Sequence, residues 1–233
     1  MMAKDAKCEY KPSEVQWKCK LEGDSSALRD NMKTHCGILE PGKPTTVAGL
    51  SSISWPSQAH HLIPHQQLKP HPVASWLTKS PASGEARLYH DNHYSVDHGL
   101  NGKFMPYSSA LSEWSSADAT TRKQLSEQVM EAAGMQLHQG PHSTKGYGVG
   151  EVGYKTRVKQ YLDRIHLSSV SHYADPACDD CKGKQQDGKY PARRNVVRFV
   201  DRASGLLEVD INRGHIFVSK RAATYANQGG IMY

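Results

Sequence analysis

The chain has 233 residues, of which 37% are hydrophobic, and a mean hydropathy of −0.66. That length allows one large domain or two small ones with a real core. No apolar run approaches the ~20 residues of a membrane helix, which argues against membrane insertion, and the first residues lack the apolar segment of a secretory signal. Lys and Arg outnumber Asp and Glu by 29 to 23, a net charge of +6, which suits a phosphate-rich partner without requiring one. The 13 histidines are the unusual count. Imidazole is the commonest metal ligand and a ready proton carrier.

Residues 1–50 read as an irregular segment carrying Cys8, Cys19 and Cys36. One short helix fits within "SALRDNMKTHCGILEPG" and ends near Gly37. Five cysteines, an odd number without a secretory signal, argue against a disulfide framework. Residues 51–107 are rich in His, Pro and Ser, and short extended pieces joined by loops are expected there. Within them, "SQAHHLIPHQQ" sets His60 beside His61. Adjacent side chains of a strand point to opposite faces, so one imidazole can face an ion while the other handles a proton. His65 has no evident role. "YHDNHYSVDH" offers Asp91, His93, Asp97 and His98 as donors and reads as a polar loop near a substrate cleft. Asn101-Gly102 is a turn signal.

A helix is expected over 116–134, capped by Ser116 or Asp118 and ended by Gly134, with Leu125, Val129 and Ala133 recurring every four residues. In "LHQGPH", His138 and His142 lie four apart, a spacing that shares one helix face. Because Pro141 belongs in a first turn, His138 is expected just before a helix start and His142 within it. "GVGEVG" matches G-x-G-x-x-G, but no apolar strand precedes it, so it reads as a loop. A second helix spans 151–167, with Val158, Leu162 and Ile165 as its apolar stripe. Cys178 and Cys181 form a C-x-x-C pair, half of a structural zinc site. Cys8, Cys19, Cys36, His35 and His172 are candidates to complete it; two reduced thiols at a hairpin are the alternative. From 193 onward, "RNVVRFV", "GLLEVDI" and "HIFVSK" are strand-like and separated by turn residues, a three-stranded β-meander. Arg193, Arg194 and Arg198 would give that meander a basic face for nucleic-acid backbone, or a charged edge.

Three pieces, "AHHLIP" (59–64), "GLNGKFMP" (99–106) and "LHQGPH" (137–142), occur in an order that resembles the AHH nucleases of the HNH/endonuclease VII superfamily. "YKTRVKQYLDRI" (154–165) resembles the helix that closes such domains. The resemblance covers about half the chain, 57–167. It departs from the family pattern after His142, where Ser143 and a Gly-rich stretch replace Pro and an early Tyr. The resemblance implies an α+β fold: a ββα-metal nuclease core with flanking helices over 51–168, between the irregular segment 1–50 and a Cys-x-x-Cys and β-rich region, 169–233. It implies that His60, His138 and His142 hold one divalent ion (Mg, Mn, Zn or Ni), that His61 is the general base, and that Asn101 braces the loop and helps orient His61. The expected activity is hydrolysis of DNA phosphodiesters with little sequence preference. The family further implies an antibacterial toxin paired with an immunity protein. Such a toxin would be delivered to a target cell by a contact-dependent machine such as type VI, with a carrier or adaptor. An RNase on the same core, or a zinc-stabilised module that binds nucleic acid without cutting it, are the alternatives.

Overall fold

The structure, a computed structural model, describes residues 22–34, 36–41, 57–77, 94–107, 111–138, 142, 146, 152–174 and 196–230. It is a mixed α+β arrangement around a small two-stranded antiparallel sheet.

The first helix, α1 (Ser25–Thr34), lies in the segment expected to be irregular, at the place where one short helix is expected. Asp24 Oδ1 accepts from the backbone N–H of Ser26 at 2.8 Å, which starts it. Gly37, at φ 61°, ends it in the left-handed conformation, with Ile38 N–H closing back on Met32 O at 2.8 Å. Leu28 and Met32, four residues apart, form its fully buried stripe.

The sheet pairs β1 (Ser57–His61) with β2 (Gly102–Pro106), and His60 stands opposite Lys103 and His61 opposite Gly102. Ala59 and Phe104 lie on the face covered by Leu28 and Met32. Burying a large apolar side chain of this kind is worth about 1.5–3 kcal/mol. Gly102 permits the approach: a Cβ there would stand 2.4 Å from Met32 Sδ. Gln58, His60, Lys103 and Met105 occupy the other face by alternation.

Two short helices, α2 (His65–Leu68) and α3 (Ala74–Leu77), follow β1. After β2 comes α4 (Ala119–Ala133), where Asp118 accepts from Thr121 N–H at 2.7 Å and Gly134 ends the helix at φ 60°. Helix α5 (Tyr154–Ala174) buries the expected stripe Val158, Leu162 and Ile165. It packs on α6 (Val196–Asn212), and both join Leu62, Ile63, Tyr94, Val96 and Met105 in the main core. A smaller cluster ties Val129 and Met130 of α4 to Ala222 and Ala223 of α7 (Lys220–Asn227).

The C-terminal meander is a correction: "RNVVRFV" and "GLLEVDI" contribute to one helix, α6, and the loop after it leads into α7. Val196, Val197, Val200, Ala203, Ser204, Leu207 and Ile211 are its buried residues, a spacing of three to four that runs straight through "DRASG". Gly205 sits where a Cβ would meet nothing within 4 Å, so it interrupts nothing. The expected boundary at 168 falls inside α5, and the main core draws on both sides of it. A second correction concerns redox state. Cys36 is disulfide-bonded, so it cannot complete a zinc site as a thiolate, and its partner lies outside the described residues. Cys178, Cys181, Arg193 and Arg194 also lie outside them, whereas Arg198 is an exposed residue of α6 and not of a strand.

Candidate metal centre

His60, His138 and His142 converge, each offering a ring nitrogen, and these three atoms lie within 4.8 Å of one another. Their ring centroids stand 4.6 Å (His60–His138), 4.9 Å (His60–His142) and 5.6 Å (His138–His142) apart. His60 comes from β1. Among the described residues, neither His138 nor His142 is helical, which corrects the expected helix start at that pair. What positions them is hydrogen bonding to other elements. His138 N–H donates to Pro106 O at 2.9 Å, continuing from the end of β2. Just before it, buried Gln136 donates to Ile211 O at 2.7 Å and Ile216 O at 2.8 Å, and accepts from Val218 N–H at 2.9 Å. The C-terminal helices are therefore part of the scaffold of the site.

Each imidazole has one nitrogen committed. His138 Nδ1 donates to Gln58 Oε1 at 2.9 Å, and His142 Nδ1 donates to Val218 O at 3.0 Å. Tyr154 gives its one hydroxyl proton to Leu62 O at 2.7 Å, so it accepts from His60 Nε2–H, 2.9 Å away. The nitrogens left over are Nδ1 of His60 and Nε2 of His138 and His142. Outer partners of this kind fix the tautomer and aim of metal-binding histidines. Burial, reinforced by the neighbouring imidazoles, pushes His60 well below the ordinary histidine range. Burial takes His138 down to about 4, with His142 and His61 adding to it. His142 is also lowered by burial, against the opposing pull of its bond to Val218 O. All three are thus neutral near pH 7, the form that binds a cation. Burial likewise raises the Tyr154 hydroxyl, which stays protonated. The donor set fits a divalent ion.

His61 points away from this cluster. Its Nε2 lies 2.8 Å from Oδ1 of Asp97, and its side chain is 13% exposed. Asn101 is fully buried with all four amide positions occupied: Oδ1 accepts from Ile63 N–H (2.8 Å) and Ser204 Oγ–H (2.9 Å), and Nδ2 donates to Ile63 O (3.0 Å) and Val96 O (2.8 Å). It braces the loop after β1, while the His61 ring is held by Asp97. His98 of the same loop pairs with Asp201 of α6 at 3.2 Å, and His71 pairs with Asp163 of α5 at 3.1 Å; both belong to the packing of those helices.

Sequence reasoning missed Gln58, Tyr154 and the roles of Asp97 and Val218. Gln58 was within reach, two residues from His60 on the same strand face. Asp97 stood out only as one donor in a polar loop, and Tyr154 meets His60 across 94 positions.

A cleft of about 460 Å³ opens between α4 and α7, lined by Lys123, Glu127, Ser219, Lys220, Arg221 and Thr224. Ser219 of its lining follows Val218, the carbonyl partner of His142, in the chain. Among the described residues, no helix is long and apolar enough to cross a membrane. Comparison with known proteins finds no match: no family model, no curated protein and no solved structure.

Proposed function

We propose that this chain is a metal-dependent endonuclease that hydrolyses DNA phosphodiester bonds. The observation that carries the reading is the division of labour in β1. His60 turns to His138 and His142, while the adjacent His61 turns to a carboxylate. Three neutral imidazoles are the whole ligand group among the described residues. Structural zinc sites use four protein ligands, whereas three with an open position is the catalytic pattern. An all-imidazole set favours Zn²⁺ or Ni²⁺ over Mg²⁺, which prefers oxygen.

A bound divalent ion would supply neutralisation of the charge that builds on the phosphorane and the leaving oxygen. The residues of the chain do the rest. His60, His138 and His142 hold the ion, each fixed by its outer partner. His61 accepts the proton of the attacking water, a contribution of order 10²–10⁴-fold. Asn101 fixes the backbone just after His61. Lys123, Lys220 and Arg221 line the cleft between α4 and α7 and would attract phosphates of the substrate strand. The two strands with α5 packed behind them are read as the ββα-metal unit. The resemblance extends the proposal to an antibacterial effector, delivered into a target cell and held in check by an immunity protein.

The test is digestion of supercoiled plasmid by purified protein with Zn²⁺, Ni²⁺, Mn²⁺ or Mg²⁺, beside His61→Ala and parallel digestion of total RNA. Cleavage that His61→Ala loses is the expected result. Intact plasmid with every ion rejects a DNase. RNA cut in its place identifies an RNase on the same centre.

A further inference from the structure

The region of resemblance begins at 57, yet the His61 ring packs against Gly23, in the segment that leads into α1 and lies before it. Asp97 is 2% exposed, and its Oδ1 accepts twice: from His61 Nε2–H at 2.8 Å and from the backbone N–H of Asp24 at 2.7 Å. Asn31 of α1 donates through Nδ2 to Asp97 O at 2.8 Å. Gly23 lies flat against the imidazole, since a Cβ there would come within 3.1 Å of both Cε1 and Nε2 of His61. Gly99, two residues after Asp97, admits α1 equally closely: a Cβ there would meet Asn31 O at 2.9 Å. Gly23 and Asp24, just before α1, together with Asn31 of α1 thus contact both members of the pair, and the helix is anchored on the sheet by Leu28 and Met32.

We infer that Asp97 is the positioning residue of the general base and that α1 is part of the active centre, because it holds Asp97 in place. This rests on the nuclease reading above. The carboxylate keeps the proton of neutral His61 on Nε2, so Nδ1 carries the lone pair. As the water oxygen bonds to phosphorus, its proton passes to Nδ1 and the bond from phosphorus to the leaving oxygen breaks. The leaving oxygen takes a proton from solvent, and His61 later returns its own. Asp97 stays ionised throughout, facing an imidazolium while the proton is held.

The experiment has two readouts on the full chain. The first is the tautomer of His61 in ¹⁵N-histidine protein loaded with Zn²⁺, read by long-range proton–nitrogen correlation and assigned by the resonance that disappears in His61→Gln. A proton on Nε2 with a bare Nδ1 is expected; a proton on Nδ1 overturns the inference. This holds whether or not any Asp97 variant folds. The second is steady-state cleavage by Asp97→Asn and Asn31→Ala. Asp97→Asn should lower kcat roughly ten- to hundredfold, part of what a general base contributes. Asn31→Ala should lower it less. In both, KM and Zn²⁺ affinity should stay within about twofold of wild type, since neither residue touches the ligand group. Wild-type cleavage that Asp97→Asn matches removes the role of Asp97 and leaves the nuclease standing. A wild type that cuts neither DNA nor RNA removes both.

Discussion

The hydroxyl of Tyr154 stands 2.9 Å from Nε2 of His60 and 2.7 Å from the carbonyl oxygen of Leu62, joining the first residue of α5 to β1. The carbonyl can only accept, so the phenol donates there and must accept from the imidazole. That single direction of donation places the proton of neutral His60 on Nε2 and leaves the lone pair on Nδ1 for an ion. Tyr154→Phe keeps the ring packing and deletes the relay. Metal affinity should fall about 10–100-fold, the usual cost of losing such an outer partner. The metal-free fold should lose about 1–3 kcal/mol, because His60 Nε2–H is left buried without an acceptor. Zn²⁺ titration calorimetry and urea unfolding measure the two. Unchanged affinity would show that His60 does not depend on Tyr154 for its orientation.

Acid should weaken the metal-free protein through the same three imidazoles. Each has its folded value pushed below the ordinary 6.5, chiefly by burial. The unfolded chain therefore binds more protons than the folded one below that value, and stability falls as pH falls. The contribution is fully present above about pH 6.5 and is lost on descending toward about pH 4, where His138 itself charges in the folded state. Urea midpoints taken from pH 7.5 to 4 should drop across that window. In His138→Gln the drop should be shallower, because one titrating group is gone. A variant profile parallel to wild type would contradict the assignment.

What can be read from the sequence follows from how local each signal is. Helices α4 and α5 are legible because cap, stripe and stop lie within one segment: Asp118 and Gly134 for α4, and Val158, Leu162 and Ile165 for α5. The opposed directions of His60 and His61 need only the alternation of a strand. Helix α6 is hidden because Val196, Val197 and Val200 favour strands one by one, and Gly205 looks like a stop. Its burial period emerges only when all 17 residues are taken together. The four-residue spacing pairs His138 with His142 through a helix that neither occupies; the convergence is real, but Gln136 and the end of β2 produce it. Partners such as Asp97, Tyr154 and the Val218 carbonyl are set by tertiary contacts that no local period encodes.

Asn101 should matter for folding more than for binding. Its replacement by Ala strands Ile63 N–H, Ile63 O and Val96 O in a dry interior, while Ser204 Oγ keeps Val200 O as an acceptor at 3.2 Å. Removing several buried partners at once should cost roughly 3 kcal/mol or more, in the range reserved for broken buried networks. Urea unfolding of the metal-free protein should show it as a lower midpoint. At a temperature where the variant is still folded, Zn²⁺ affinity should remain within a few-fold of wild type, because no ligand nitrogen is bonded to Asn101. A loss of affinity as large as that of Tyr154→Phe would mean that Asn101 acts on the ligand group itself.

The cleft between α4 and α7 makes a separate prediction about substrate. Lys220 is exposed at the start of α7, and Lys123 is half-exposed with Glu127 3.6 Å away, so both are accessible to a phosphate and only weakly committed. Arg221 is more fixed: it stacks on Trp114 at 5.6 Å and donates to Ser126 Oγ at 3.1 Å. Replacing both lysines with Ala should therefore leave the fold and the metal affinity unchanged and raise KM several-fold. Every phosphate that a cation neutralises adds about 0.9 to the slope of log affinity against log salt on duplex DNA. The double variant should flatten that slope by up to about 2. Lys33→Ala is the control, because Lys33 is paired with Glu40 at 3.4 Å on α1, away from the cleft. If the control and the double variant flatten the salt dependence equally, the attraction comes from the net charge of the whole surface, and the cleft is not the path of the strand.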